Sequence, residues 1–255
     1  MKRSKTPSIA VIAGTGVAEL FETGRRLSLE TRFGRATAFK SKTGSFYLLP
    51  RHGRNHTVPP HLINYRANIV ALGKLGVKDV LATSAVGSMN PWFTVGRLGL
   101  AEQFLDFTRN RESTLFDREF AHTDMTEPYS RELNRAVAKA GASEGVKVMA
   151  GLTYVAVEGP RFETAAEIKM FKKLGGDVVG MTGVPEVVLA REAGLRYSAL
   201  LIATNWAAGM QRKVSHEEVL SVMKQSGESV RRVVERTVND LLREPIGRAP
   251  IDQSS

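Results

Sequence analysis

The sequence predicts an α/β fold in which a mixed central sheet is flanked by helices. Three short apolar runs, Tyr154–Val157, Val178–Val179 and Leu200–Ala203, each end in small or polar residues, and segments of helical periodicity separate them. Arg26–Leu49 instead alternates polar and apolar residues between turn signals at Phe33-Gly34 and Lys42-Thr43-Gly44, the pattern of antiparallel hairpins. No repeat, low-complexity tract or linker divides the chain. Its 255 residues therefore read as one domain, with tails expected to fray over 1–7 and 244–255.

Ser8–Ala13 is a short apolar strand that enters Gly14-Thr15-Gly16. Free backbone N–H groups and the Thr15 hydroxyl suit an anion there, although a tight β-turn explains the same residues equally well. The hairpins end at Pro50-Arg51-His52-Gly53-Arg54-Asn55-His56, a loop that is either solvated or a phosphate contact, since arginine forks onto phosphate oxygens. Pro59-Pro60 stiffens the approach to a helix over Leu62–Leu75. Val80–Ala82 reads as a buried strand running into a second hydroxyl-rich loop, Thr83-Ser84-Ala85-Val86-Gly87-Ser88. Leu98–Phe107 is a further strand, and Arg109–Pro128 is long, polar and aperiodic, as functional or partner-packed loops are. His122 lies in it.

Tyr129–Ala142 reads as an amphipathic helix and Val146–Val157 as a strand. The next helix is expected to open with Phe162-Glu163 and to set Ala165, Ile168, Phe171 and Leu174 on one apolar face. Glu163 then sits in a first turn, where the helix dipole favours a carboxylate. Another helix starts at Pro185-Glu186 and runs through Ala193. Ser215–Leu242 is the longest helix, opened by an S-x-x-E capping box of Ser215 and Glu218. That cap puts His216 at the first helical position, where the positive helix end favours a neutral imidazole. Val219, Val222, Met223, Val230, Val233 and Leu241 form its apolar stripe. In a parallel sheet ligands bind beyond the carboxyl ends of the strands, so Phe162, Glu163, Met181, Thr182 and Asn205 should gather at one edge. Such a set suits a flat, polar-edged ring carrying a sugar.

Composition narrows the function classes. A hydrophobic content of 42% supports an ordinary core, and no apolar run is long enough to cross a bilayer. The basic start MKRSKTPS is followed only by Ile9–Ala13, too short for a secretory signal core. Cysteine is absent, which excludes disulfides and cysteine metal sites and makes a cytoplasmic location the expectation. The net charge of +10 fits nucleic acid or anionic substrates. The basic residues are dispersed, and no helix-turn-helix, zinc-finger or RNP signature occurs. Neither a nucleic-acid nor a membrane partner is therefore expected.

These segments together resemble the purine nucleoside phosphorylase and methylthioadenosine phosphorylase family, over about Ile9 to Leu242. The resemblance is densest in RHGRNHTVPPHLINYRAN, TSAVGS, EGPRFETAAE and GMTGVPEVVLAREAGL. It implies one α/β domain of phosphorylase type, assembled as a homotrimer or a dimer of trimers. It also implies phosphorolysis of a purine N-glycosidic bond, with inorganic phosphate as co-substrate and neither metal nor other cofactor. Position by position, it places Thr15, Arg51, His52, Ser84, Ala85 and Thr182 on phosphate. Met181 falls against the ribose and Phe162 on the base. His56 and His122 match histidines near the sugar 5′ end in the methylthioadenosine branch, the latter supplied by a neighbouring subunit.

The departures carry the substrate expectation. The adenine-specific branch has Asp at the positions of Asn205 and Ala207 and a small hydroxyl residue at that of Glu163. Here the run is Asn205-Trp206-Ala207, and Glu163 replaces the hydroxyl. This resembles the branch acting on hypoxanthine and guanine. A 6-oxopurine offers N1–H as a donor and O6 as an acceptor. Ionised Glu163 accepts from N1–H, while Asn205 gives its NH₂ to O6 and its carbonyl to N7–H. His216, in HEEVL, resembles the nucleoside phosphorylase histidine that meets the 5′-hydroxyl. The expected catalytic set is Asn205, His216 and Glu163, acting on guanosine or inosine. The alternative is S-methyl-5′-thioinosine or S-methyl-5′-thioadenosine phosphorolysis.

Overall fold

Nine strands join in one sheet that closes on itself in the computed structural model, which describes residues 8–247. The strands are β1 (Ile9–Ala13), β2 (Thr23–Thr31), β3 (Gly34–Ser41), β4 (Tyr47–Pro50), β5 (Asp79–Ser88), β6 (Leu98–Phe107), β7 (Val148–Val157), β8 (Val178–Gly180) and β9 (Arg196–Trp206). The helices are α1 (Tyr65–Lys74), α2 (Arg131–Ser143), α3 (Ala165–Lys173), α4 (Gly183–Glu192) and α5 (His216–Arg243). The sheet order is β2-β3-β4-β1-β5-β8-β7-β6-β9, and β5 also pairs with β9. Strands β5, β8, β7, β6 and β9 thus form a closed loop, with β1–β4 as a wing.

The apolar runs of β1 and β5 follow from burial on both faces. Along β1, Ala10 and Ile12 enter one core while Ile9, Val11 and Ala13 enter the other, as a two-residue strand period requires. The first core includes Ile69 and Leu72 of α1 and Val187 and Leu189 of α4. The second takes Leu133 and Val137 of α2 and Val219, Met223, Val230 and Val234 of α5. The long helix is a buried apolar stripe closed by the expected Ser215 cap, whose side chain accepts from Glu218 N.

The hairpins β2–β3 and β3–β4 are antiparallel as expected, while β4 joins β1 in parallel. Four local expectations are corrected. Helix α1 begins at Tyr65, because Asn64 caps it by accepting from Ala67 N. Helix α3 begins at Ala165 behind a capping box of Thr164 and Glu167, so Phe162 and Glu163 precede it and Glu163 is not a first-turn acid. Leu174 is its exposed C-cap and not part of its buried face. The run Thr83–Ser88 is not a loop but the second half of β5. Of the tails expected to fray, 1–7 and 248–255 lie outside the described residues, while Ile246 packs against the second core. Among the described residues no helix is long and apolar enough to cross a membrane.

Candidate active site

A gap in the sheet organises the site. Strand β1 is in register with β5 as far as Ala82, and β8 joins that side of β5 only at Gly87. On the other side β9 pairs with β5 continuously from Asp79 to Val86. Thr83–Val86 therefore keep one free backbone edge inside the protein. Successive residues of a strand turn their polar groups to opposite sides. Thr83 O faces the gap, where it accepts from Arg51 Nη1 at 3.0 Å, and the Ala85 N–H shares that direction by alternation. The buried hydroxyls of Ser84 and Thr182 meet across the gap at 3.5 Å. The loop after β1 closes it: Gly14 N donates to Thr83 Oγ1 at 3.0 Å. A side chain at Gly14 would lie 2.5 Å from Thr83 O and 3.1 Å from Arg51 Nη1, so only glycine lets this loop lie so close.

Arg51 lies beneath the gap with no side-chain exposure. Its Nε and Nη2 donate to Glu186 Oε2 and Oε1, both at 2.6 Å, a parallel fork. Tyr197 Oη donates to Glu186 Oε1 at 2.7 Å. Burial works against the Arg51 charge, but the Glu186 carboxylate outweighs it and holds the guanidinium firmly protonated. Burial keeps the Tyr197 hydroxyl protonated, and Glu186 reinforces this.

A row of imidazoles borders the gap. His52 and His56 are 4.7 Å apart between ring centroids, and His56 and His216 are 6.0 Å apart. His56 Nε2 pairs with Thr15 Oγ1 at 3.0 Å. His52 Nδ1 donates to Val58 O at 2.8 Å, so its Nε2 carries the lone pair while the ring is neutral. Burial, Arg51 and His56 push the His52 pKa down to about 4. Burial and His216 lower that of His56. His216 is exposed at the first position of α5, as its cap requires.

Asn205 is buried near the end of β9, and its amide orientation is fixed. Oδ1 accepts from Thr204 Oγ1 at 2.9 Å, and Nδ2 donates to Trp206 O at 2.9 Å. Each amide atom retains further hydrogen-bonding capacity. A Cβ on Gly87 would stand 3.1 Å from Nδ2, so the glycine keeps that approach open. Met181 leans on Gly159, whose φ of +64° and lack of a side chain accommodate the Sδ. Thr182 N and Gly183 N both donate to Tyr154 Oη at 3.2 Å, which pins the turn after β8. The loop beyond Asn205 packs on the helix behind Glu163. Ala207 shares a small core with Ile168 and Phe171 of α3, and Gly209 abuts Ala165. Gln211 ties this loop to α5: its Oε1 accepts from Trp206 N and its Nε2 donates to Glu218 Oε2.

The structure thus joins Thr15, Arg51, His52, Ser84, Ala85 and Thr182 around the gap and extends the histidine row to His56 and His216. Glu163 is half-buried just before α3, and burial together with Glu167 raises its pKa. Phe162 is 37% exposed. His122 is not part of the histidine row; it is exposed on the loop between β6 and α2. The stem of that loop is held where Arg109 N and Asn110 N donate to Glu158 and Leu115 N donates to Glu192. Its Phe120 is fully exposed. Sequence reasoning missed Thr83, Glu186, Tyr197 and Gln211. Glu186 alone left a signal, an acid amid apolar residues of a helix. Among the described residues no cluster of His, Asp or Glu is arranged to hold a metal ion.

The profile of the phosphorylase superfamily matches residues 8–239. Similar proteins include a probable 6-oxopurine nucleoside phosphorylase of Moorella thermoacetica, 45% identical, covering 92% of this chain and 94% of that one. The 6-oxopurine nucleoside phosphorylase of Pyrococcus furiosus is 43% identical over 89% of this chain and 91% of its own. A probable S-methyl-5′-thioinosine phosphorylase of Methanothermobacter thermautotrophicus is also 43% identical, over 91% and 84% respectively. Among solved structures, the methylthioadenosine phosphorylase of Schistosoma mansoni in complex with adenine superposes with a TM-score of 0.87 at 31% identity, covering 93% of each chain.

Proposed function

Because the chain belongs to the phosphorylase superfamily, we propose that it is a purine nucleoside phosphorylase, a pentosyltransferase that cleaves 6-oxopurine nucleosides with inorganic phosphate. The products are free base and ribose 1-phosphate, as in purine salvage. The observation that carries the base assignment is the buried, oriented Asn205, whose following loop packs on the helix behind Glu163. Thr204 and Trp206 fix which amide atom is which, so Nδ2 can serve O6 while Oδ1 serves N7–H. Glu163 accepts from N1–H, and from the 2-amino group when the base is guanine. Adenine reverses this pattern and sets its N1 lone pair against the carboxylate. A buried polar mismatch of that kind costs about 1–3 kcal/mol, and more when charge is involved.

Phosphate occupies the sheet gap, met by the Ala85 N–H, the hydroxyls of Thr15, Ser84 and Thr182, His52 and Arg51. As the glycosidic bond stretches, C1′ gains positive charge, and the phosphate held beneath it stabilises that charge. The departing purine gains negative charge, which Asn205 disperses as N7 takes a proton. Met181 lines the ribose, Phe162 covers the base, and Trp206 and Ala207 form the floor beyond Asn205. His216 orients the sugar through O5′. Positioning of the reactants supplies much of the rate, and neither metal nor other cofactor takes part.

The exposed loop carrying Phe120 and His122 supports a homo-oligomer, a trimer or a dimer of trimers, in which a neighbouring copy completes the 5′ end. Its setting is the cytoplasm, without nucleic-acid or membrane partners. One observation favours a second reading: His56 stands beside His216, and it matches the methylthio branch. A 5′-methylthioinosine carries the same 6-oxo base, so only the sugar end separates the two. Base release from guanosine, inosine, adenosine and their 5′-methylthio analogues, each with and without phosphate, tests both. Phosphate-dependent release of guanine or hypoxanthine from the plain nucleosides is the expected result. Preference for the methylthio compounds transfers the assignment to the second reading.

A further inference from the structure

We infer that Glu186 and Tyr197 are positioning residues for phosphate, which hold the Arg51 guanidinium in the one orientation that presents its remaining N–H bonds to the sheet gap. This rests on the phosphorolytic reading above. An arginine side chain is long and adopts many rotamers, and an anion site built on it needs that freedom removed. Here three elements remove it. Arg51 directly follows β4, Glu186 comes from α4 and Tyr197 from β9. The Nε and Nη2 edge is taken by both Glu186 oxygens at 2.6 Å, and one Nη1 bond is taken by Thr83 O at 3.0 Å. What is left of Nη1 and Nη2 points away from Glu186, on the side where Gly14 lies against Nη1.

The location argues for more than a structural tie. Thr83 O is itself part of the free edge of β5, and Gly14 opens the loop that closes the gap, so the cationic end of the pair is where the phosphate reading needs it. Tyr197 Oη spends its proton on Glu186 Oε1 rather than facing the arginine, which fixes the carboxylate plane and through it the guanidinium plane. Glu186 touches none of the groups assigned to the nucleoside. Its effect should therefore fall on phosphate and spare the sugar and base.

The test is steady-state phosphorolysis of inosine by Glu186→Gln and Tyr197→Phe, with phosphate and nucleoside varied separately. In Glu186→Gln an NH₂ faces the guanidinium, and the fork cannot form. The KM for phosphate should rise on the order of ten- to a hundredfold, while the KM for inosine stays within a small factor. Tyr197→Phe keeps the ion pair and should raise the phosphate KM only about threefold. Circular dichroism and thermal unfolding establish that each variant is folded. A folded Glu186→Gln with an unchanged phosphate KM, or with both KM values raised alike, overturns the proposal. If Glu186→Gln does not fold, Tyr197→Phe decides, and an unchanged phosphate KM there overturns it too. Wild-type base release that ignores phosphate refutes the phosphorolytic reading itself, an outcome visible before any variant is made.

Discussion

Replacing Asn205 by Asp exchanges one atom in a fully specified hydrogen-bonding frame. Oδ1 already accepts from Thr204, so the new oxygen takes the place of Nδ2 and faces the Trp206 carbonyl, 2.9 Å away in the wild type. Two acceptors then oppose each other in a buried pocket. The carboxyl relieves this by taking up a proton, as buried acids do. Protonated, its one hydrogen is used on the Trp206 carbonyl, and ionised it has none, so in neither state does it donate to O6 of a 6-oxopurine. Losing that bond and leaving the partner unmatched costs about 1–3 kcal/mol, or roughly a 5- to 150-fold fall in kcat/KM. Adenosine moves the other way, because its 6-amino group finds an acceptor where it had met a donor. The quantity to measure is the ratio of kcat/KM for inosine to that for adenosine, in both proteins at one pH. It should fall by at least the loss on inosine. A ratio that stays put, in a variant with a normal unfolding transition, removes Asn205 from base recognition.

His216→Leu removes the polar partner at the 5′ end: kcat/KM for inosine should drop about 2- to 12-fold, while 5′-methylthioinosine is spared, as competition between the two substrates will reveal. Thr164→Ala breaks the capping box of α3 and should destabilise the protein by about 1 kcal/mol. Glu163 is the residue just before that cap, so the guanosine KM should rise along with the lowered melting temperature. His52 predicts a pH dependence of stability. Its folded pKa lies near 4, below the usual 6.5, so between those values the unfolded chain binds the extra proton and stability rises with pH. The contribution is complete above about pH 6.5, fades as pH falls toward 4, and is on the order of 3 kcal/mol. His52→Asn keeps a donor for Val58 O and should flatten urea-unfolding free energies measured between pH 7 and pH 5.

The outline of the fold was legible because central strands such as β1 and β9 are buried on both faces and the long helix is not. Helix α5 follows from the spacing of Val219, Met223, Val230 and Leu241 and from its Ser215 cap. The end of β5 was not legible. Thr83-Ser84-Ala85-Val86-Gly87-Ser88 is small and hydroxylic, a composition shared by loops and by strand edges that meet a ligand. Pairing with β9, and with β8 at its end, shows it to be strand. The start of α3 was misplaced because Phe162 and Glu163 fit the helical period, whereas Thr164 and Glu167 satisfy each other as a reciprocal cap. Thr182 and Asn205 each lie beside β5, but not by the route that strand ends in a parallel sheet would provide. Their strands do not end at a common edge, since β8 runs antiparallel to β5 and β9 runs parallel to it. The end of β8 returns along β5 to Ser84, while the end of β9 advances to Gly87, and β5 is what brings them together.

The same geometry changes what the charge of the chain means. A net charge of +10 suggests an anion site made by an excess of positive charge. Yet the one arginine under the gap is neutralised by Glu186, and His52 is uncharged at neutral pH. Three arginines of α5 are likewise spent on neighbours, Arg231 on Glu228 and Glu235, Arg232 on Glu144 and Arg236 on Asp240. A buried guanidinium with no phosphate above it still needs a counter-charge, and Glu186 supplies one that does not leave when the product does. On the proposed reading, what remains to hold a phosphate is a set of fixed dipoles: the Ala85 N–H, the Thr15, Ser84 and Thr182 hydroxyls, and the remaining N–H bonds of Arg51. Fixed dipoles do not reorganise as charge develops, which is the property a transition state with a cationic sugar above an anion calls for. On the same reading the lone acid in an apolar stretch of helix, Glu186, bears on catalysis as much as the glycine loops that frame the site. Its partner stands 135 residues earlier in the chain, a distance across which no local sequence pattern reaches.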